Sequence, residues 1–155
     1  MLTPCPAKTP SPGSVRSRIA HQVALLCLLA AAGSSHAGSL VWSQDKISPP
    51  LNYRDDPVAV PYRAPGSGEA GQPAGQSIVS VHASISYAGS TALRTLLCWN
   101  SLAHCVPVTG NATTTNAFNG LDPFKPMLLV HEVPGKGPLP TPLYVKGRVA
   151  VWYGP

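Results

Sequence analysis

Charge is scarce in this sequence: Asp, Glu, Lys and Arg together make up 11% of its 155 residues. After residue 38 no cluster of basic side chains remains, which excludes the electrostatic footprint a nucleic-acid partner requires. No apolar run reaches the roughly 20 residues of a membrane-spanning helix. Sustained helical periodicity is missing too, because 18 prolines and 14 glycines interrupt the chain and β-branched residues gather in short runs. The motifs of common chemistries are equally absent. No serine stands in a G-x-S-x-G context or an equivalent, and Asp55-Asp56, followed by Pro57, lacks the spaced oxygen ligands of a calcium loop. These absences argue against an enzyme and call for no metal and no cofactor.

What is present begins with an export signal. The first eighteen residues hold Lys8, Arg16 and Arg18, four prolines and no acidic residue. An apolar run, Ile19 to Ala32, follows and ends in the small residues Ser35-His36-Ala37. A basic start, an apolar stretch of about 7–15 residues and a small-x-small site together define a cleavable secretory signal. The expected boundary is residues 1–37, with Ala32 as the second choice of cleavage point, and no stable membrane span is expected once the signal is removed. The remaining segment, 38–155, suits one domain and carries eight cations against six acids, a net charge near +2.

Two cysteines belong to that domain, Cys98 and Cys105, with six residues between them. The spacing is wrong for a metal-binding pair and no second pair exists. In an oxidising compartment the two predict a disulfide clipping a hairpin.

The strand pattern is clearest at Gln76 to Tyr87, where Val79, Val81, Ala83, Ile85 and Tyr87 alternate with Ser80, His82, Ser84 and Ser86. Such alternation marks an antiparallel strand with one buried face. Ala92 to Trp99 and Cys105 to Thr109 form the clipped hairpin, and Thr113 to Phe118, Met127 to Val133 and Leu143 to Tyr153 supply further strands. Ser39 to Ser43, Leu51 to Arg54 and Val58 to Tyr62 are shorter candidates, separated from the main run by a flexible Gly/Pro-rich loop at 64–75. The expected fold is therefore all-β, an antiparallel sandwich of about six to eight short strands. Prolines such as Pro107 belong at its edges.

The domain's histidines are His82, His104 and His131. His131 and Glu132 are neighbours on a strand and point to opposite faces, so they cannot form a catalytic dyad. All three read as isolated surface or packing residues. Asn111-Ala112-Thr113 matches a glycosylation sequon without implying a function. Glu132-Val133-Pro134-Gly135-Lys136-Gly137 describes a strand entering a turn whose glycines can take positive φ.

That last segment completes a recognisable order: Leu97-Cys98, Cys105-Val106, Phe118-Asn119-Gly120, Glu132-Val133-Pro134-Gly135-x-Gly137 and Val149-x-Val151-x-Tyr153. In this order and spacing the chain resembles the flagellar FlhE family over about residues 93 to 153, with Trp42 and Leu51-Asn52-Tyr53-Arg54 similar more loosely. It departs from the family in a longer cysteine loop and in His131, where an aromatic residue is expected. The resemblance implies a periplasmic β-sandwich that binds at the flagellar type III export apparatus or at a rod protein, supports assembly and limits proton leakage, with a chaperone role suggested. It brings no catalytic residues; Glu132, Pro134, Gly135 and Gly137 would serve structure or partner binding.

Two other readings compete. Trp42, Trp99 and Trp152 could stack on sugars in a periplasmic carbohydrate- or peptidoglycan-binding module, provided two of them share an exposed face. The loop from Trp99 to His104 could instead present an inhibitor's rigid tip, and a small hydrolase would need the histidines to converge with an acid.

Overall fold

Proline, glycine and β-branched residues cut the chain into short extended runs, and a computed structural model shows how they pair. It describes residues 39–67 and 73–155. The expected signal at 1–37 and the centre of the 64–75 loop lie outside the described residues. At the edges of that loop, the Ser67 N–H donates to the Ala64 carbonyl at 3.0 Å, and Ala64 is buried.

All regular structure among the described residues is strand. The strands are β1 (Leu40–Ile47), β2 (Leu51–Tyr53), β3 (Val58–Tyr62), β4 (Ser77–Tyr87), β5 (Arg94–Trp99), β6 (Cys105–Pro107), β7 (Ala112–Thr115), β8 (Met127–Glu132), β9 (Pro138–Leu143) and β10 (Val145–Gly154). Every pairing is antiparallel. One four-stranded sheet runs β1-β10-β4-β7, a second runs β3-β8-β5-β6, and β2 and β9 form a small ribbon. The antiparallel all-β expectation holds, but with ten strands rather than six to eight. The unexpected one is β9, whose Pro138, Pro140 and Pro142 argue against a strand. In a two-stranded ribbon each strand keeps one open edge, where missing N–H groups cost nothing. Pro61 and Pro107 likewise sit in β3 and β6, the two edges of the second sheet.

The two four-stranded sheets turn their apolar faces toward each other. Trp42, Val81, Ala83, Ile85, Val145, Val149 and Val151 come from the first; Val60, Tyr62, Leu97, Met127 and Leu129 come from the second. Full burial of each such aliphatic side chain contributes roughly 1.5–3 kcal/mol. The alternation expected in β4 holds from Val81 to Ile85 and breaks before it. Opposite β10, Trp152 pairs with Ser80 and Tyr153 with Ile78, so Val79 is an extra residue in a bulge. The bulge reverses the phase, leaving Val79 47% exposed and Ile78 buried.

Two further local arrangements fix the packing. Gly147 lies on the inward face of β10, where an added Cβ would stand 2.4 Å from the Tyr62 phenol oxygen and 2.7 Å from Leu129 Cδ1. Glycine is thus what lets Tyr62 enter the core. After β7, the expected strand from Thr113 to Phe118 stops at Thr115 and becomes a turn. Phe118 is buried there, Gly120 takes φ +80°, and Gly120 and Leu121 exchange backbone hydrogen bonds with Ile78.

Candidate functional site

The histidines do not converge. His82 is on the outward face of β4, sharing a 2.9 Å hydrogen bond between Nδ1 and Thr114 Oγ1. His104 is in the β5–β6 loop, its ring 6.1 Å from that of Trp99. His131 is fully buried on the inward face of β8, its Nδ1 sharing a 3.0 Å hydrogen bond with Thr95 Oγ1. Burial lowers its pKa to about 4, so it is a neutral core residue at pH 7. Its Nε2 has no hydrogen-bond partner among the described residues. Asp55 occupies a turn at φ +59°, its N–H donating to Val133 O at 2.8 Å. Among the described residues no group of three His, Cys, Asp or Glu side chains is placed to hold a metal ion.

The tryptophans do not share a face either. Trp42 is in the core, donating from Nε1 to Pro123 O at 3.0 Å, and Trp99 donates from Nε1 to Asp122 O at 3.0 Å. Trp152 lies alone on the opposite, outward side of the first sheet. The two exposed tryptophans that a multi-ring sugar platform would use are therefore not side by side.

Cys98 and Cys105 are directly opposite on β5 and β6 and form the expected disulfide, with Cα atoms 4.0 Å apart. Around it spreads a surface that the sequence reading did not pick out. Sheet faces turned to water are normally polar, yet between Arg94 and Glu132 at one end and the disulfide at the other the outward face of the second sheet carries apolar residues on every strand, with Ala59, Pro61 and Pro107 exposed, Leu96 and Leu128 partly exposed, and Val130 and Cys98 buried among them. Leu96 and Ala59 flank Val130, while Cys98 and Pro61 flank Leu128. Pro107, beside Leu96, extends the face to β6. The signal was present: Met127-Leu128-Leu129-Val130 and Leu96-Leu97-Cys98 are unbroken apolar runs, the mark of strands apolar on both sides.

Glu132 stands at the rim of this face, on the side of β8 opposite to His131. Its carboxylate is 3.7 Å from Arg94 Nη1; Arg94 is well exposed, so the pair contributes about 0–1 kcal/mol and mainly sets the rim's polarity. The strand then enters the turn formed by Pro134, Gly135 and Gly137, with Gly135 at φ +113° and Gly137 at φ +89°. Arg54 clasps that turn. Its backbone N–H donates to Gly137 O at 2.9 Å, its Nη1 donates to Pro134 O at 3.3 Å, and a Cβ on Gly135 would come within 3.2 Å of its Cδ. The Leu51-Asn52-Tyr53-Arg54 step and the Glu-Val-Pro-Gly-x-Gly step are thus two halves of one structural unit beside the apolar face.

Fold and surface define a class: a small disulfide-clipped β-sandwich whose most distinctive surface is an apolar sheet face bordered by a rigid turn. Comparison with known proteins gives the family. The model of the family described as flagellar protein FlhE matches residues 64–153. Flagellar protein FlhE of Escherichia coli (strain K12) is 34% identical over 112 residues, covering 71% of this chain and 81% of that protein. The crystal structure of FlhE superposes with a TM-score of 0.62 at 28% identity, over 76% of this chain and 98% of that one. The chain belongs to the flagellar FlhE family.

Proposed function

We propose that this protein acts in the periplasm as a flagellar accessory factor, docking through the outward face of its second sheet onto a protein of the type III export apparatus or the rod. In this role it supports flagellum assembly and limits proton leakage through the apparatus; holding an exported subunit, as a chaperone does, would use the same contact. The observation that carries the proposal is the apolar face made by Leu96 and Leu128 with Ala59, Pro61 and Pro107 beside the disulfide. Such faces on soluble domains mark interaction sites. The Arg94–Glu132 pair supplies a polar rim, as protein interfaces have. The export signal read from the sequence supports the compartment, as does the disulfide.

Leu96→Lys combined with Leu128→Lys tests this. Both side chains are partly exposed on the outward face, so the fold is expected to survive, checked by circular dichroism. Swimming motility and crosslinking to flagellar proteins in intact periplasm are expected to drop to the level of a deletion strain. Normal motility and an unchanged crosslinking pattern from a folded double variant would sink the proposal.

A further inference from the structure

The outward face of the first sheet has a different chemistry. Its centre is Ala150, flanked by Ser43 on β1 and His82 on β4. One row along, Trp152 stands beside Val41; one row the other way, Arg148 lies between Asp45 and Ser84. A small residue surrounded by larger ones leaves a groove of about 420 Å³. From the rise of an antiparallel strand, Arg148 and Trp152 are about 13 Å apart at their Cα atoms. That distance accommodates one sugar ring and the start of a second.

The groove's polar atoms are idle. Among the described residues the Arg148 guanidinium, the Trp152 indole N–H and the hydroxyls of Ser43 and Ser84 have no hydrogen-bond or ion-pair partner. Arg148 does not form an ion pair with Asp45, although the two are directly opposite. His82 is held at Nδ1 by Thr114, which fixes the ring and leaves Nε2 as its other polar atom. The indoles of Trp42 and Trp99 are both engaged with carbonyls, so Trp152 is the one with its N–H free. One aromatic wall, a small floor, and neighbouring donor and acceptor side chains match a ring that has an apolar C–H face and a rim of hydroxyls.

We propose that this groove binds a saccharide, one pyranose ring lying over Ala150 with its C–H face against Trp152 and its hydroxyls on Arg148, Ser43 and Ser84. The ring's C–H face meets the negative face of the indole, and the serine hydroxyls and Arg148 offer acceptors and a donor to adjacent hydroxyls. A carboxylate on the ring would take the Arg148 guanidinium in a two-pronged contact instead. The site is on the sheet opposite to the proposed flagellar contact and does not rest on that reading.

The three tryptophans make a direct test. With the ¹⁵N-labelled chain lacking its signal, maltotriose, chitotriose and glucuronate are titrated to millimolar concentration while the indole N–H resonances are followed. The Trp152 signal is expected to move, with those of Trp42 and Trp99 unmoved. Ala150→Leu fills the floor without removing a polar contact and is expected to abolish the shift; Arg148→Gln is expected to weaken it several-fold. A response to the neutral trisaccharides assigns recognition to hydroxyls, and one to glucuronate alone assigns it to the carboxylate. If no saccharide moves the Trp152 signal, or if it moves equally in both folded variants, the proposal is overturned. Should Ala150→Leu not fold, Ser84→Leu closes the same groove from its side and is read in the same way.

Discussion

Gly147 and Tyr62 are one packing decision made by two residues. A Cβ at position 147 would overlap the phenol oxygen, and that oxygen is buried without a hydrogen-bond partner among the described residues. Burial, with a smaller contribution from the Asp45 charge, pushes the Tyr62 phenol up to about 12, so it stays neutral. Gly147→Ala is expected to cost about 1–3 kcal/mol by overpacking. Tyr62→Phe in that background should recover part of the loss, because it removes the closer of the two clashes and an unpaired polar group, while the approach to Leu129 Cδ1 stays. Urea melts of the single and double variants measure this; equal stabilities for Gly147→Ala and the parent chain would refute it. His131 makes the second residue-scale prediction. Its pKa falls from 6.5 to about 4 on burial. Above the unfolded value both states are neutral and pH has no effect through this group. Between about 6.5 and 4 the unfolded chain takes up a proton that the folded chain refuses, so stability falls as pH falls, by up to about 3 kcal/mol once pH is below the folded value. Replacing the hydrogen-bonded pair together, His131→Phe with Thr95→Val, is expected to flatten this acid limb of the stability curve. Denaturation midpoints at neutral pH and near pH 4.5 would show it, and an unchanged slope would assign the acid sensitivity elsewhere.

Among the elements, β6 is the one that most needs help. It has three residues, one is Pro107, and it pairs on one side only, with β5. The Cys98–Cys105 disulfide ties it to β5 across a directly opposed pair. Replacing both cysteines by Ala is expected to cost about 2–3 kcal/mol and to lower the thermal midpoint by roughly 10 °C. A scan with and without reductant gives the same comparison in the parent chain, and no shift in either experiment would mean the clip is dispensable. The elements also show where a sequence can be read and where it cannot. The register of β4 from Val81 to Ile85 follows from strict alternation, and the clip follows from two cysteines. The bulge at Val79 could not be read, because alternation carries no mark of an inserted residue. Strand β9 was hidden by its prolines, which are tolerated only because its partner is a ribbon strand and not a sheet.

For the whole molecule, the fold class was legible while the site was only half so. The turn residues Glu132, Pro134, Gly135 and Gly137 stood out by their order, but their backing by Arg54 depends on a contact across 80 residues. The apolar face was written in Leu96-Leu97-Cys98 and Met127-Leu128-Leu129-Val130; without the register, such runs do not distinguish a buried strand from one facing a partner. A hydrophobic dye provides the molecule-scale check. The native chain at neutral pH is expected to bind it and enhance its fluorescence, and Leu96→Lys with Leu128→Lys to lose a measurable part of that signal while staying folded. An equal signal from both would place the exposed apolar surface elsewhere.

The face-to-face packing of two sheets has one more consequence. Their outer surfaces are turned away from each other across the sandwich, one made of Leu96, Leu128, Ala59 and Pro61 and the other of Trp152, Val41, Ser43, His82, Ser84 and Arg148. An occupant of the first cannot obstruct an occupant of the second. If both proposed contacts hold, the two can be occupied independently, and substitutions on one face are expected to leave binding at the other unchanged.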